Sequence, residues 1–410
     1  MNILFIGGYG SGTDANSVCV QNMARELIAR KHHVWLLAMG DDYVERPAFK
    51  DDLTIWELPM DYYRRLTARA TNSSNHLFRV CFKLISSLRH LLLLTTYPVT
   101  SPGRSRRLAA MAKELVINNE IDIVVTIYNP FDNIYAGIKV KEAFTNQVKV
   151  VSYHLDLRTA SISPYALVRN YIRKHALASL EHECNVVDKI LIPYSGKQEI
   201  DSVEGIRKDK IRFVGFPMYI TNISMEECLL PFEEDTINIC YIGSLSLDNR
   251  DPRYILTLLE QVSKIMRRRI IVHIWGDIGG LKTVLDDSSV ACYHGMIENK
   301  YVRYIMVNSD FLLNIGNSIA FDMLPSKVFG MFSTGKPIIN VINHIKDATL
   351  PFFEQYNNSI DIRECQKSKD DIEILRNGIN SKIHSALKNA EGLFDGFKPE
   401  IICDEILTNS

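Results

Sequence analysis

Residues 310–339, DFLLNIGNSIAFDMLPSKVFGMFSTGKPII, carry the side chains of this chain best suited to hold an anion. A short apolar run ends at Gly316 and Asn317 follows. Pro325 fits the first turn of a helix, where its fixed φ is pre-organised and its missing N–H is not needed. Ser326 and Lys327 would then lie near the amino end of that helix, where free backbone N–H groups and the macrodipole favour a phosphate. Lys327 adds a full positive charge where a departing nucleoside diphosphate develops negative charge.

A second group of polar residues follows a different apolar run. In SYHLDLRTAS, His154, Asp156 and Arg158 emerge from the carboxyl end of a strand, the end at which α/β sheets place their ligands. At the amino terminus, Gly7, Gly8, Gly10 and Gly12 would let the backbone approach a phosphate or a sugar closely. Gly10-Ser-Gly12-Thr-Asp-Ala15 also fits the dinucleotide pattern G-x-G-x-x-A. Its acidic partner, Asp41, lies about 30 residues on where that pattern wants about 20, so a nicotinamide site is a weak reading.

The elements that must position these groups follow from periodicity. Asn2–Ile6 is a short apolar strand, VCVQNMARELIARKHH reads as a helix, and VWLLAM as a second strand. Continuous apolar runs at Ile121–Tyr128, Val148–Tyr153, Lys189–Pro193 and Ile211–Val214 predict further buried parallel strands. Residues 218–236 lose all periodicity and are expected to link two domains. The pattern restarts with strands at Ile237–Ile242, Ile270–Trp275, Val290–Tyr293, Asp310–Ile315 and Pro337–Val341, each with glycine at or near an end. The expectation is an α/β protein with two Rossmann-like, doubly wound domains facing a cleft. They would span 1–217 and 237–385, with a C-terminal helix in 386–410 packing back on the first.

At 410 residues the chain exceeds what one core usually organises, which agrees with two domains. The net charge of −1 gives no global attraction for nucleic acid, so no nucleic-acid partner is expected. The eight cysteines are scattered, with no C-x-x-C pair and no His cluster beside them, so neither disulfides nor a metal site is expected. No apolar stretch is long enough to cross a bilayer, and MNILFIGGYG reads as a first strand instead of a leader. The expected location is the cytoplasm.

The order strand, NIGN, D-x-x-P-S-K-V-F and S-T-G-K-P-I-I resembles the donor-binding segment of GT-B fold glycosyltransferases, especially retaining ones of family 4. Those enzymes carry Glu-x7-Glu, with the second Glu five residues before the glycine of the G-x-P turn. Counting back from Gly335 places Asp322 at the first acid and Gly330 at the second. The resemblance implies a nucleotide-sugar substrate, with no separate cofactor. Asp322 would contact sugar hydroxyls, and the ribose contact of the second acid is lost.

CYIGSLSLDNRDPRY resembles the family's strand, glycine loop and helix. Ser244 follows Gly243 where the family has an Arg, and Arg250 or Arg253 replaces its Lys on the phosphates. Gly295 and Met296 fall near the usual position of the base, and His154 matches a histidine that contacts donor or acceptor. The implied catalytic set is His154, Asp322 and Lys327, with Gly10, Gly12, Gly243, Ser244, Arg250, Gly295, Met296, Asn317 and Ser326 on the donor and Asp156 and Arg158 on the acceptor. No bound metal is implied.

Between Tyr62 and Ala110 stand Arg64, Arg65, Arg69, Arg79, Lys83, Arg89, Arg104, Arg106 and Arg107, with no Asp or Glu, among apolar residues from Leu77 to Leu94. Such a segment suits the anionic inner face of a membrane and an acceptor carried on a lipid. The expected activity is transfer of a sugar from a nucleotide diphosphate, a UDP-sugar first, to a hydroxyl of a lipid-linked glycan or glycolipid, with retained configuration. The alternatives are a nucleotide-sugar epimerase of the same architecture and an inactive partner subunit.

Overall fold

Runs such as Ile3–Ile6, Val124–Ile127 and Ile190–Ile192 carry apolar side chains on both faces, which is stable only in a strand covered by helices on either side. A computed structural model of the chain has that arrangement twice. It describes all residues except 10–14, 41–45, 51–52, 60–61, 72–75, 129, 156–168, 202, 221–225, 320, 322–323, 326, 384–387, 389, 391 and 409–410. The chain divides into one unit of Met1–Pro217 with Pro399–Ser410 and another of Met218–Lys398. The segment 218–236, expected as a linker, thus falls within the second unit, where buried Tyr219 donates its hydroxyl to the Ala390 carbonyl.

The first unit runs β1 (Asn2–Tyr9), α1 (Ala15–Ala29), β2 (His33–Met39), β3 (Arg46–Lys50), β4 (Leu53–Leu58), α2 (Tyr62–Thr71), α3 (His76–Leu93), α4 (Pro102–Asn118), β5 (Ile123–Tyr128), α5 (Phe131–Ala143), β6 (Lys149–His154), α6 (Arg169–Val186), β7 (Lys189–Pro193), α7 (Lys197–Asp201) and β8 (Ile211–Val214). Among the described residues its sheet has the order β3-β4-β2-β1-β5-β6-β7-β8, and only β3 runs antiparallel to its neighbour. β1 continues past its expected end at Ile6 to Tyr9 through an irregular pairing with β2.

The second unit runs β9 (Ile237–Ile242), α8 (Arg253–Met266), β10 (Ile270–Trp275), α9 (Lys282–Asp286), β11 (Ala291–Tyr293), α10 (Asn299–Asn308), β12 (Phe311–Ile315), α11 (Lys327–Phe332), β13 (Ile338–Val341), α12 (Leu350–Tyr356), β14 (Ser359–Ile362) and α13 (Asp371–Lys382). All its strands are parallel, in the order β11-β10-β9-β12-β13-β14. The order reverses between β9 and β12, and at such a switch point connections leave in opposite directions and open a crevice at the carboxyl ends. β14 here, like β3 and β4 of the first unit, was not expected. β14 is short and carries Asp361, whose carboxylate accepts the Asn340 side-chain amide of β13, so its sequence shows no apolar run.

The last helix, α14 (Pro399–Leu407), belongs to the first unit. Arg30 at the end of α1 bonds Asp404 at 2.5 Å, and buried Lys189 donates to the carbonyls of Glu405 and Thr408.

Candidate functional site

The switch point of the second unit is where the sequence-predicted donor residues meet. β9 ends at Gly243, whose φ of 148° is open to glycine. A Cβ on Gly276, at the end of β10, would lie 2.3 Å from the Gly243 carbonyl oxygen. The two strand ends therefore meet backbone to backbone, and only glycine fits at position 276. Beyond Gly243 the chain folds into a small loop closed by paired backbone hydrogen bonds between Ser246 and Arg250, at 3.2 and 3.0 Å.

That closure aims Arg250 back at the strand ends. Its Nε donates to Asn317 Oδ1 at 2.8 Å and its Nη1 to Ser244 Oγ at 3.3 Å. Asn317, from the turn after β12, also accepts from Asn249 Nδ2 at 3.1 Å, and the Asn249 carbonyl takes the Ser318 amide at 2.9 Å. The loops after β9 and β12 are thus tied together across the crevice.

Lys327 completes the group. It opens α11, and its ammonium lies 4.5 Å over the ring of buried Tyr241, 3.5 Å from the Tyr241 hydroxyl. A Cβ on Gly243 would stand 3.3 Å from Lys327 Nζ, so the ammonium rests beside the bare backbone of the strand end. Tyr241 donates its proton to the Ser244 carbonyl at 2.8 Å, leaving its oxygen to accept from Lys327, and burial pushes its phenol up to about 12. Loss of water around the half-buried Lys327, and next the charge of Arg250, hold its ammonium well below the usual lysine range. Among the described residues neither Lys327 nor Arg250 is paired with a carboxylate. Two cations beside a glycine backbone, with no acid among the described residues to neutralise them, are an arrangement that an anion would stabilise.

Gly243, Ser244, Arg250, Asn317 and Lys327 are therefore brought close together at this crevice. Arg253 is not: it is exposed and held by Asp251 at 2.5 Å. Gly295 touches the site indirectly, its carbonyl accepting the Gly276 amide at 2.9 Å, and Met296 is exposed beyond it. At Gly330 a Cβ would meet only the Met218 carbonyl oxygen, at 4.0 Å, so the small residue is not required by packing. Tyr241 and Asn249 were missed by sequence reasoning, since neither lies in a recognisable pattern.

In the first unit, His154 ends β6 but is 3% exposed, bonded to buried Glu183 at 3.0 Å and stacked on Tyr128. Gly10, Gly12, Asp156, Arg158, Asp322 and Ser326 lie outside the described residues.

The basic segment is reshaped by the fold. Arg104 is buried and ion-paired with Asp132 at 2.8 Å, and Arg89 lies over the Tyr63 ring at 3.9 Å, whereas Lys83, Arg106 and Arg107 are exposed. The cysteines also hold a surprise. Cys292 of β11 lies beside His273 of β10 and His294, although no His cluster was expected near any cysteine.

No family model matches the chain, and no curated protein matches it. Solved structures do. WaaG, a glycosyltransferase involved in lipopolysaccharide biosynthesis, aligns over 99% of this chain and 100% of its own at 10% identity and a TM-score of 0.59. UDP-GlcNAc 2-epimerase of Methanocaldococcus jannaschii aligns over 99% of both chains at 12% and 0.54. HepE of Anabaena, solved with UDP and glucose, aligns over 99% of this chain and 95% of its own at 13% and 0.55. What the chain shares with them is the fold, two parallel-sheet α/β domains of the GT-B type.

Proposed function

We propose that the second unit binds the diphosphate of a nucleotide sugar and that the chain transfers the sugar to a hydroxyl acceptor. The observation that carries this reading is the convergence of Lys327 and Arg250, without an acidic partner among the described residues, at the switch point beside Gly243. A diphosphate would accept from both cations. Its charge grows as the bond from the anomeric carbon to the phosphate oxygen breaks, so the same cations stabilise the leaving group more than the bound donor. The acceptor hydroxyl forms the new bond and gives up its proton. The glycosyltransferase WaaG supports transfer as the reaction, and HepE, solved with UDP and glucose, supports a nucleotide-sugar ligand; the epimerase among the fold neighbours supports the alternative.

The test is a panel of UDP-, GDP-, ADP- and dTDP-sugars. At least one is expected to raise the melting temperature, UDP-sugars first, and to release its nucleoside diphosphate only when a hydroxyl acceptor is present. If none stabilises the protein, the donor site fails. Conversion of UDP-GlcNAc to an epimer with no acceptor present would replace transfer with epimerisation.

The acceptor we propose is lipid-linked, reached at an anionic membrane through α3. Leu77, Val80, Leu84, Leu88 and Leu92 recur at helical spacing, and all are exposed, Leu77 at 73% and Leu84 at 68%. The opposite side of α3 packs on α2, where Phe82 stacks on Tyr63. Exposed Arg69, Lys83, Arg106 and Arg107 supply positive charge, each contributing about 1 kcal/mol near an anionic surface. No described helix is long and apolar enough to cross a membrane, so contact would be peripheral. The chain is expected to float with phosphatidylglycerol vesicles at low salt and to lose most of that binding in high salt or as Leu84→Asp/Leu88→Asp. Equal flotation with neutral vesicles would sink this part.

A further inference from the structure

We propose that His273, Cys292 and His294 form a zinc site that pins the edge strand β11 to β10. The three ligand atoms already lie within 4.8 Å of one another. β10 and β11 run parallel with His273 directly opposite Cys292, and His294 follows two residues on. Alternation along each strand therefore puts all three side chains on one face of the sheet.

The tautomer of His273 follows from its neighbours. Asn238 uses its side-chain NH2 to donate to the carbonyls of Glu233 and Thr236, both at 3.1 Å, which leaves its Oδ1 as the atom facing His273 Nε2 at 3.0 Å. His273 Nε2 must carry the proton, so Nδ1 presents a lone pair. That lone pair faces His294 Nε2 at 3.0 Å. An imidazole whose far nitrogen donates to a fixed amide oxygen while its near nitrogen faces other donor atoms is the arrangement that orients metal-binding histidines.

Two imidazole nitrogens and one sulfur suit zinc better than hard cations such as magnesium or calcium. With zinc–nitrogen bonds of about 2.05 Å, a tetrahedral site needs nitrogens about 3.3 Å apart, so the rings need separate by only a few tenths of an ångström. On binding, Cys292 releases its thiol proton to solvent and His294 shifts its proton from Nε2 to Nδ1. His273 is buried whereas Cys292 and His294 are half-buried, so an ion can enter from the outer side and water can fill the fourth position. Trp275 stacks on His294 at 4.7 Å and Phe232 packs against His273 at 5.0 Å, flanking the group with apolar surface.

The position gives the site a use. β11 has only three residues, Ala291–Tyr293, at the edge of its sheet, with a single neighbouring strand to hold it. Just beyond, the Gly295 carbonyl supports Gly276, which packs on Gly243. A metal bridging β10 and β11 would steady that sequence of contacts.

The experiment titrates the full chain, freed of metal by a chelator, with zinc against a chromophoric indicator, and with cobalt(II) as a spectroscopic probe. One zinc per chain is expected, along with a near-ultraviolet sulfur-to-cobalt charge-transfer band. Cys292→Ser should abolish that band, and Cys292→Ser and His294→Gln should each weaken zinc binding about 100-fold or more. The metal-free melting temperatures of both variants are expected to match that of metal-free wild type, because both positions are half-buried. Absence of stoichiometric binding, or binding and a cobalt spectrum unchanged by both substitutions, would overturn the proposal.

Discussion

Lys327→Ala is expected to cut sugar transfer by about 100- to 1,000-fold in kcat/KM, the loss typical when one group that stabilises developing charge is removed. Affinity for UDP itself should fall about 10- to 100-fold, as for a lost charge-assisted contact of roughly 1.5–3 kcal/mol. Stability should move the other way. The ammonium is desolvated beside Arg250 with no acidic partner among the described residues, so removing it should leave the melting temperature of the ligand-free protein unchanged or raise it.

A pH signature goes with this prediction. Because burial and then Arg250 lower the lysine's proton affinity in the free chain, the amine loses its charge at a lower pH than an ordinary lysine. A diphosphate binds the charged form, so UDP affinity should decline as pH rises through that lowered range. Lys327→Met should flatten the decline. Calorimetric titration from neutral to alkaline pH measures both, and a wild-type affinity that does not change with pH would falsify the role given to Lys327.

Asp132→Ala should be the most destabilising single change on a polar residue in the first unit. This carboxylate on α5 is fully buried and accepts from Ser105 Oγ at 2.5 Å, Thr100 Oγ1 at 2.6 Å and the Ser101 amide at 2.9 Å, beside the Arg104 guanidinium at 2.8 Å. It thereby ties the start of α4 to α5. Alanine would leave those donors and a buried cation without their acceptor, at a cost of about 3–5 kcal/mol. That corresponds to a fall of roughly 10 °C in melting temperature for a unit of this size.

Burial alone would raise the Asp132 carboxyl, but Arg104 first and then the hydroxyl and amide donors outweigh it and hold it below the usual range. A depressed carboxyl contributes stability that is present above its unfolded value and lost as pH falls through the folded one. Denaturant melts should therefore show Asp132→Asn losing stability at neutral pH and converging toward wild type in acid. A neutral-pH loss below about 1 kcal/mol would contradict the assignment, since that is the scale of one ordinary hydrogen bond.

Nothing in the sequence marks Asp132 as special: it is one acid in YNPFDNIY, and its partners stand about 30 residues away. Arg104 shows the converse. By composition it belongs with Arg106 and Arg107 in a basic surface, yet helical periodicity turns it inward while its neighbours face solvent. His154 was legible as the end of a strand, but its burial against Glu183 depends on a helix that starts 15 residues later, at Arg169. The His273, Cys292 and His294 group went unseen for a similar reason, because two adjacent strands bring together residues about 20 apart in sequence.

From the sequence alone came most of the strands and their alternation with helices, because an apolar run and its closing glycine are local facts set by side-chain hydrophobicity and backbone sterics. The likeness of residues 310–339 to a donor segment was equally local, and Lys327 was readable from it. Only the tertiary structure decided that Lys327 meets Arg250 over Tyr241, with Asn317 bridging the loops. Strand order determines which carboxyl ends are neighbours, and that order is settled by packing across the whole sheet, beyond the reach of any local pattern.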